Sequence, residues 1–149
     1  MEAHGMKGHG LKNLGSEVAH GSIAQMFALV AGVILTVGGV AALIVNADFS
    51  TGTGIVTDKL LFMDVNGWSG LLMLLTGVSL VVASRVAGMA RRACLGVGVV
   101  YLALTIWSLF DSSVLGMFPV NDMTAIVYAA IGVLGVTAGL GPDRHDDTV

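Results

Sequence analysis

Ionisable side chains, proline and cysteine are all scarce in this sequence, and each scarcity excludes something. Charged residues make up 11% of 149 residues, against about 25% in ordinary soluble domains. A net charge of −3 argues against nucleic acid or a strongly anionic membrane surface as partner. The single cysteine, Cys94, excludes an internal disulfide and a cysteine-rich metal site. Only two prolines occur, Pro119 and Pro142. Both lie outside the long apolar stretches, where they cannot interrupt helical hydrogen bonding.

What fills the chain instead is apolar: 55% of residues are hydrophobic and 21 are glycine. Four charge-free stretches carry most of that content, Ile23–Val45, Val65–Ser84, Ala93–Phe110 and Met123–Leu140. About 18–20 apolar residues cross a ~30 Å hydrocarbon layer as a helix rising ~1.5 Å per residue. The expectation is an all-α polytopic membrane protein with four transmembrane helices. Residues 1–22 and 141–149 are read as cytoplasmic tails flanking a membrane domain over 23–140. Val45-Asn46-Ala47 resembles a signal-cleavage site behind a leader with Lys7 and Lys12. The apolar core before it exceeds the ~7–15 residues of a signal peptide, so an uncleaved span is the expectation.

Positive charge divides cleanly around these spans. Lys7, Lys12, Arg85, Arg91, Arg92 and Arg144 fall on one side, leaving Lys59 on the other with Asp48, Asp58, Asp64, Asp111 and Asp122. Lys and Arg are retained in the cytoplasm during insertion, so both termini and the turn from Arg85 to Arg92 are expected there. That short turn makes spans 2 and 3 antiparallel neighbours. In the first outer loop, Gly, Ser and Thr read as turns, and Leu60–Met63 is apolar enough to lie in the membrane interface.

The chain also repeats itself. Val65-Asn66 recurs as Val120-Asn121 and Gly77 as Gly132, each 55 positions on. Ala31-Gly32-Val33-Ile34 matches Val97-Gly98-Val99-Val100 more loosely. This pattern predicts two antiparallel helical hairpins of the same orientation, forming a plain four-helix bundle.

Chemistry-bearing residues are sparse. No Asp, Glu, His, Lys or Arg lies inside an apolar stretch, so the groups that proton relays and ion pathways normally use are missing. No catalytic, cofactor-binding or metal-ligating residue is therefore assigned. Asn66 and Asn121 each open a span and read as helix N-caps. Asp64 and Asp122 lie beside them, where the helix dipole favours negative charge. Gln25, Thr36, Thr76, Ser79, Tyr101, Thr105, Ser108, Tyr128 and Thr137 are accounted for by interhelical hydrogen bonding. Met73 and Tyr128 could ligate iron in principle, but core packing explains both. Ala24, Ala28 and Gly32 fall four apart, and Gly135 and Gly139 form a GxxxG pair. Such spacing lets helices approach closely, either internally or against another protein. His4, His9, His20 and His145 are too irregularly spaced to converge on a metal. Cys94 reads as a small packing residue, and Trp68, Trp107 and Phe118 as interfacial anchors.

The segment Phe62-Met-Asp-Val-Asn-Gly-Trp-Ser-Gly-Leu-Leu-Met-Leu-Leu-Thr-Gly77 resembles a known signature. So do Val114-Leu-Gly-Met-Phe-Pro-Val-Asn121 and the Ala24-Gln25 that opens span 1. Together they resemble the four-span, mainly actinobacterial membrane family catalogued as a domain of unknown function, number 4383, from Ser22 to Leu140 in order. The resemblance implies a bacterial inner-membrane protein and supplies no reaction. Family members often carry His-Asn and another His where Ser69, Gly70 and Met73 stand here, and Asp and His where Thr124 and Tyr128 stand. The chain thus resembles a divergent member without the usual histidines, either purely structural or with a retuned neutral pocket.

Two functions stay open. One is a non-enzymatic accessory or scaffold subunit, packing against a membrane-protein partner or a second copy of itself. The other is a small binding or transport module holding an apolar ligand, a quinone or lipid, between the hairpins. It would use a pocket lined by Trp68, Met73, Thr76 and Tyr128. Enzymatic chemistry ranks below both, for want of a base, nucleophile or metal.

Overall fold

A computed structural model describes residues 22–141. Four α-helices dominate it: α1 (Ile23–Val45), α2 (Gly67–Ala83), α3 (Ala87–Ser108) and α4 (Asp122–Leu140). A short antiparallel hairpin precedes each even-numbered helix. The first pairs β1 (Asp58–Leu60) with β2 (Met63–Val65), and the second pairs β3 (Ser113–Val114) with β4 (Phe118–Pro119). Three helices, α1, α3 and α4, are long and apolar enough to cross a membrane, whereas α2 has 17 residues.

Each boundary has a local cause. Ser22 and Gln25 form a capping box at the start of α1, the Gln25 amide donating to Ser22 Oγ at 3.2 Å and the Ser22 amide to Gln25 Oε1 at 3.0 Å. Gln25 Nε2 also donates to the Ser84 carbonyl at 3.0 Å, tying the start of α1 to the end of α2. Helix α3 starts at Ala87, six residues before the apolar stretch does. Its first turns, Ala-Gly-Met-Ala-Arg-Arg, contain good helix formers, so charge ends the apolar run without ending the helix. Arg91 and Arg92 accordingly lie inside α3 and not in the turn. Arg91 Nε donates to the Gly139 carbonyl at 3.3 Å, placing a cation on the C-terminal end of α4.

Burial runs opposite to the pattern of a water-soluble core. The buried positions of α1 are Ala24, Ala28, Gly32, Leu35, Gly39 and Ala42, mostly small residues three or four apart. Its large side chains point outward, with Met26 65%, Ile34 64% and Ile44 79% exposed. Lipid gives helices no hydrophobic reason to associate, so small residues inside and bulky apolar ones outside suit a bilayer.

The most extensive packing is α1 along α2 and α3 along α4, with α1 also touching α3 and α4. A Cβ on Gly39 would stand 2.5 Å from the Leu74 nitrogen, and one on Gly32 would stand 2.8 Å from the Val81 nitrogen. As numbering rises along α1 it falls along α2, so the pair is antiparallel. Across α3 and α4, a Cβ on Gly98 would stand 2.6 Å from the Val136 nitrogen and 2.9 Å from the Gly132 carbonyl. Gly139 meets Leu95 and Arg91 in the same antiparallel sense. The α1–α3 contact closes between small residues, where Cys94 Sγ donates to the Ala24 carbonyl at 3.5 Å.

Candidate functional site

Polar side chains inside the bundle gather near one end. Asn66 is the N-cap of α2: its Oδ1 accepts the Ser69 amide at 3.0 Å, and Ser69 Oγ accepts the Asn66 amide at 2.9 Å. Asn121 caps α4 through Oδ1 as well, accepting the Thr124 amide at 2.8 Å and the Thr124 hydroxyl at 2.9 Å, without the reciprocal bond. Each asparagine also reaches across. Asn66 Nδ2 donates to the Met117 carbonyl at 2.6 Å, and Asn121 Nδ2 donates to the Phe62 carbonyl at 3.0 Å. Each hairpin turn is therefore fastened to the helix N-cap of the other half. Thr124 Oγ1 adds a contact by accepting the Asp64 amide at 3.2 Å. Its counterpart cannot form, because Pro119 in β4 has no amide hydrogen to donate.

Below this clasp sits an aromatic pair. Tyr101 and Tyr128 meet edge to face, with centroids 5.1 Å apart. The Tyr101 hydroxyl lies 3.1 Å from Thr76 Oγ1, while the buried Tyr128 hydroxyl has no hydrogen-bond partner among the described residues. The proposed pocket residues are divided by this arrangement. Thr76 and Tyr128 both adjoin Tyr101. Met73 is buried on α2, with its methyl facing Gly38. Trp68 turns away, donating Nε1 to the Phe49 carbonyl at 2.9 Å and meeting the Phe49 ring at 5.3 Å. Tyr101 belongs to the cluster although spacing alone did not group it with the others. It occupies the place in α3 that Leu35 occupies in α1, and both are buried.

Ser69, Met73, Thr124 and Tyr128 are all buried. The remaining hydroxyls mostly return to their own helix and do not bridge neighbours. Thr36 bonds the Gly32 carbonyl, Ser79 that of Leu75, Thr105 that of Tyr101, Ser108 that of Thr105 and Thr137 that of Leu134.

The small-residue stripes are filled from within the chain. Ala24 and Ala28 are buried in the main core cluster, whereas Gly32 turns to α2. Gly135 meets Cys94 and Gly98, and Gly139 meets Leu95. Two shallow grooves lie on outer faces instead. One, between α1 and α2, is lined by Val33, Thr36, Val37, Val78, Val81 and Val82. The other, at the end of α3, is lined by Ala103, Ile106, Trp107 and Phe110.

Among the described residues no group of three or more His, Cys, Asp or Glu could hold a metal ion. The tail histidines His4, His9, His20 and His145 lie outside the described residues, as do Lys7, Lys12 and Arg144. In the loop after α1, Asp48 is held below the ordinary carboxylate range by hydrogen bonds from Ser50, whose amide donates to Oδ1 at 2.6 Å.

No curated protein and no solved structure matches the chain. A family model does, over residues 25–141, which takes in all of α2, α3 and α4 and nearly all of α1. The chain belongs to the family described as Domain of unknown function (DUF4383).

Proposed function

We propose that this is a four-span protein of a bacterial inner membrane, built as two repeated hairpins with both termini in the cytoplasm. It performs no catalysis of its own and serves as an accessory or scaffold subunit beside a membrane-protein partner or a second copy. The observation that carries this reading is the division between interior and exterior. The interior is closed by small residues and by neutral polar groups that mostly bond backbone carbonyls, whereas the exterior is bulky and apolar.

Further features support the details. Helix α2 runs antiparallel to α1 at full contact, consistent with a fourth crossing by a helix of about 25 Å. The repeat is favoured by equivalent contacts: Gly32 meets Gly77 and Val81 as Gly98 meets Gly132 and Val136. For orientation, Arg85, Arg91 and Arg92 lie at the bundle end where Gln25 bonds Ser84 and Arg91 bonds Gly139. Asp48, Asp58, Asp64, Asp111 and Asp122 lie at the other end, as expected when basic residues are retained inside. The valine groove between α1 and α2 offers a smooth surface for a neighbouring span.

Purification in mild detergent, followed by mass measurement, tests the scaffold reading. A stoichiometric partner or a stable homo-oligomer supports it, and an isolated monomer overturns it. A second reading, an apolar ligand such as a quinone or lipid within the bundle, is favoured by the unpartnered Tyr128 hydroxyl beside Tyr101 and Thr76. Native mass spectrometry of the same preparation would carry the ligand's mass if that reading holds.

A further inference from the structure

Two leucines occupy backbone conformations that leucine ordinarily avoids. Leu61, in the turn between β1 and β2, has φ 57°, and Leu115, in the turn between β3 and β4, has φ 56°. The left-handed region crowds a Cβ against the carbonyl, so glycine or asparagine is the usual occupant of such turns. Gly116, beside Leu115, shows the ordinary solution at φ 64°. Neither leucine is compensated by burial, since Leu61 is 84% and Leu115 59% exposed. Phe62 on the first turn is likewise 70% exposed. An exposed apolar side chain kept twice at a strained position points to a use for that side chain.

The height of both turns identifies what it meets. The Phe62 carbonyl is bonded to Asn121, the first cap of α4, and the Met117 carbonyl to Asn66, the cap of α2. Each turn is thus level with the beginning of a helix and does not project beyond the bundle. Helix α2 has 17 residues, or about 25 Å, against a hydrocarbon layer of about 30 Å. Lipid tails therefore reach the level of its cap. The two hairpins touch one another through β2 and β4, and the Gly116 carbonyl of the second turn accepts the Gly52 amide at 2.8 Å. Their charged neighbours are turned to another face: Lys59 pairs with Asp64 directly across the β1–β2 ladder, in the register position next to Leu60 and Met63.

We infer that the tips of the two hairpins, Leu61-Phe62 and Leu115, are inserted into the upper acyl region of the outer leaflet, as a pair of lipid anchors. The inference rests on the membrane-spanning reading above and adds to it a lipid-binding role for the loops. Phe110 and Trp107, at the end of α3 and respectively 85% and 48% exposed, extend the same apolar rim.

The test places single cysteines at these sites in a Cys94→Ala background, labels them with a bimane fluorophore and reconstitutes the full chain in phosphatidylcholine vesicles. Leu61→Cys and Leu115→Cys report the tips, and Phe62→Cys serves where a leucine variant fails to fold. Asp58→Cys, at an exposed charged position at the end of β1 away from the turn, is the aqueous reference, and Ile34→Cys reports the middle of α1. Labels at 61 and 115 should be quenched several-fold more by lipids brominated near the glycerol end than by aqueous iodide, with the reverse at 58. Iodide quenching at 61 and 115 equal to that at 58, with the label at 34 quenched by deeply brominated lipid, overturns the anchors and leaves the spans intact. Protection of 61 and 115 from both quenchers also overturns them, because a protein surface then covers the tips. A label at 34 that no brominated lipid quenches overturns the spanning reading, and this one with it.

Discussion

Asn66 and Asn121 perform the same two tasks at corresponding places in the two halves of the bundle. Each caps its own helix through Oδ1 and fastens the opposite hairpin turn through Nδ2. They differ in surroundings, since Asn66 is fully buried while Asn121 retains some exposure.

That difference predicts unequal losses. Asn66→Ala removes a cap, worth about 1 kcal/mol, and strands the Met117 carbonyl, at about 1–3 kcal/mol more if no water replaces the bond. Asn121→Ala removes the same cap, but water can reach the Phe62 carbonyl. Thermal unfolding in detergent should show the larger drop in midpoint for Asn66→Ala.

The glycines divide into two classes by what a methyl group would meet. Gly39→Ala and Gly77→Ala would drive a Cβ to 2.5 Å from the Leu74 and Thr36 nitrogens, atoms that cannot move without displacing a helix. Gly88 and Gly96 face open space on α3. Alanine at 39 or 77 should separate α1 from α2 and reduce the yield of folded protein. Alanine at 88 or 96 should be neutral or stabilising by up to about 1 kcal/mol. Fluorescence size-exclusion profiles of the four variants check this.

A buried hydroxyl without a partner is better removed than kept. Tyr128→Phe should therefore leave thermal stability unchanged or raise it, by up to about 1–3 kcal/mol. Tyr101→Phe, which breaks the bond to Thr76, should cost about 0.6–2 kcal/mol. A marked loss of stability in Tyr128→Phe would show instead that something bonds the hydroxyl in the folded protein, and would favour the ligand reading.

Asp48 supplies a pH dependence in the loop after α1. Its carboxyl titrates below its ordinary value of 3.8 because Ser50 hydrogen bonds hold the charged form. A depressed folded value contributes stability above the unfolded value and loses it as pH falls through the folded one. The loop should thus hold its structure at neutral pH and loosen only in acid below the usual carboxylate range. Asp48→Asn should remove that transition, which hydrogen exchange at the Ser50 amide would read.

Much of the helical architecture was legible because apolar length answers to bilayer thickness. The expected stretch Ile23–Val45 is the observed α1, and α4 differs from its stretch by one residue. The third boundary was not legible, since Arg91 and Arg92 end a hydropathic run but do not break helical hydrogen bonding. The hairpins were not legible either. Hairpin turns announce themselves by glycine or asparagine, and the first turn here is Leu61-Phe62. Of the candidate site, both caps followed from their positions, whereas the aromatic pair required the packing of α3 on α4. Spacing put Ala24, Ala28 and Gly32 on one stripe but not against one neighbour, because a step of four residues drifts around the helix. The two alanines meet the core and the glycine meets α2.

The crossed fastening of the hairpin turns also sets an order of assembly. When the ribosome has released α1 and α2, the Asn66 side-chain amide still waits for a carbonyl 51 residues downstream. The amino-terminal half must hold this polar group without its mate until translation delivers Met117. Anything that stalls synthesis or truncates the chain between these points leaves half of the buckle without its mate.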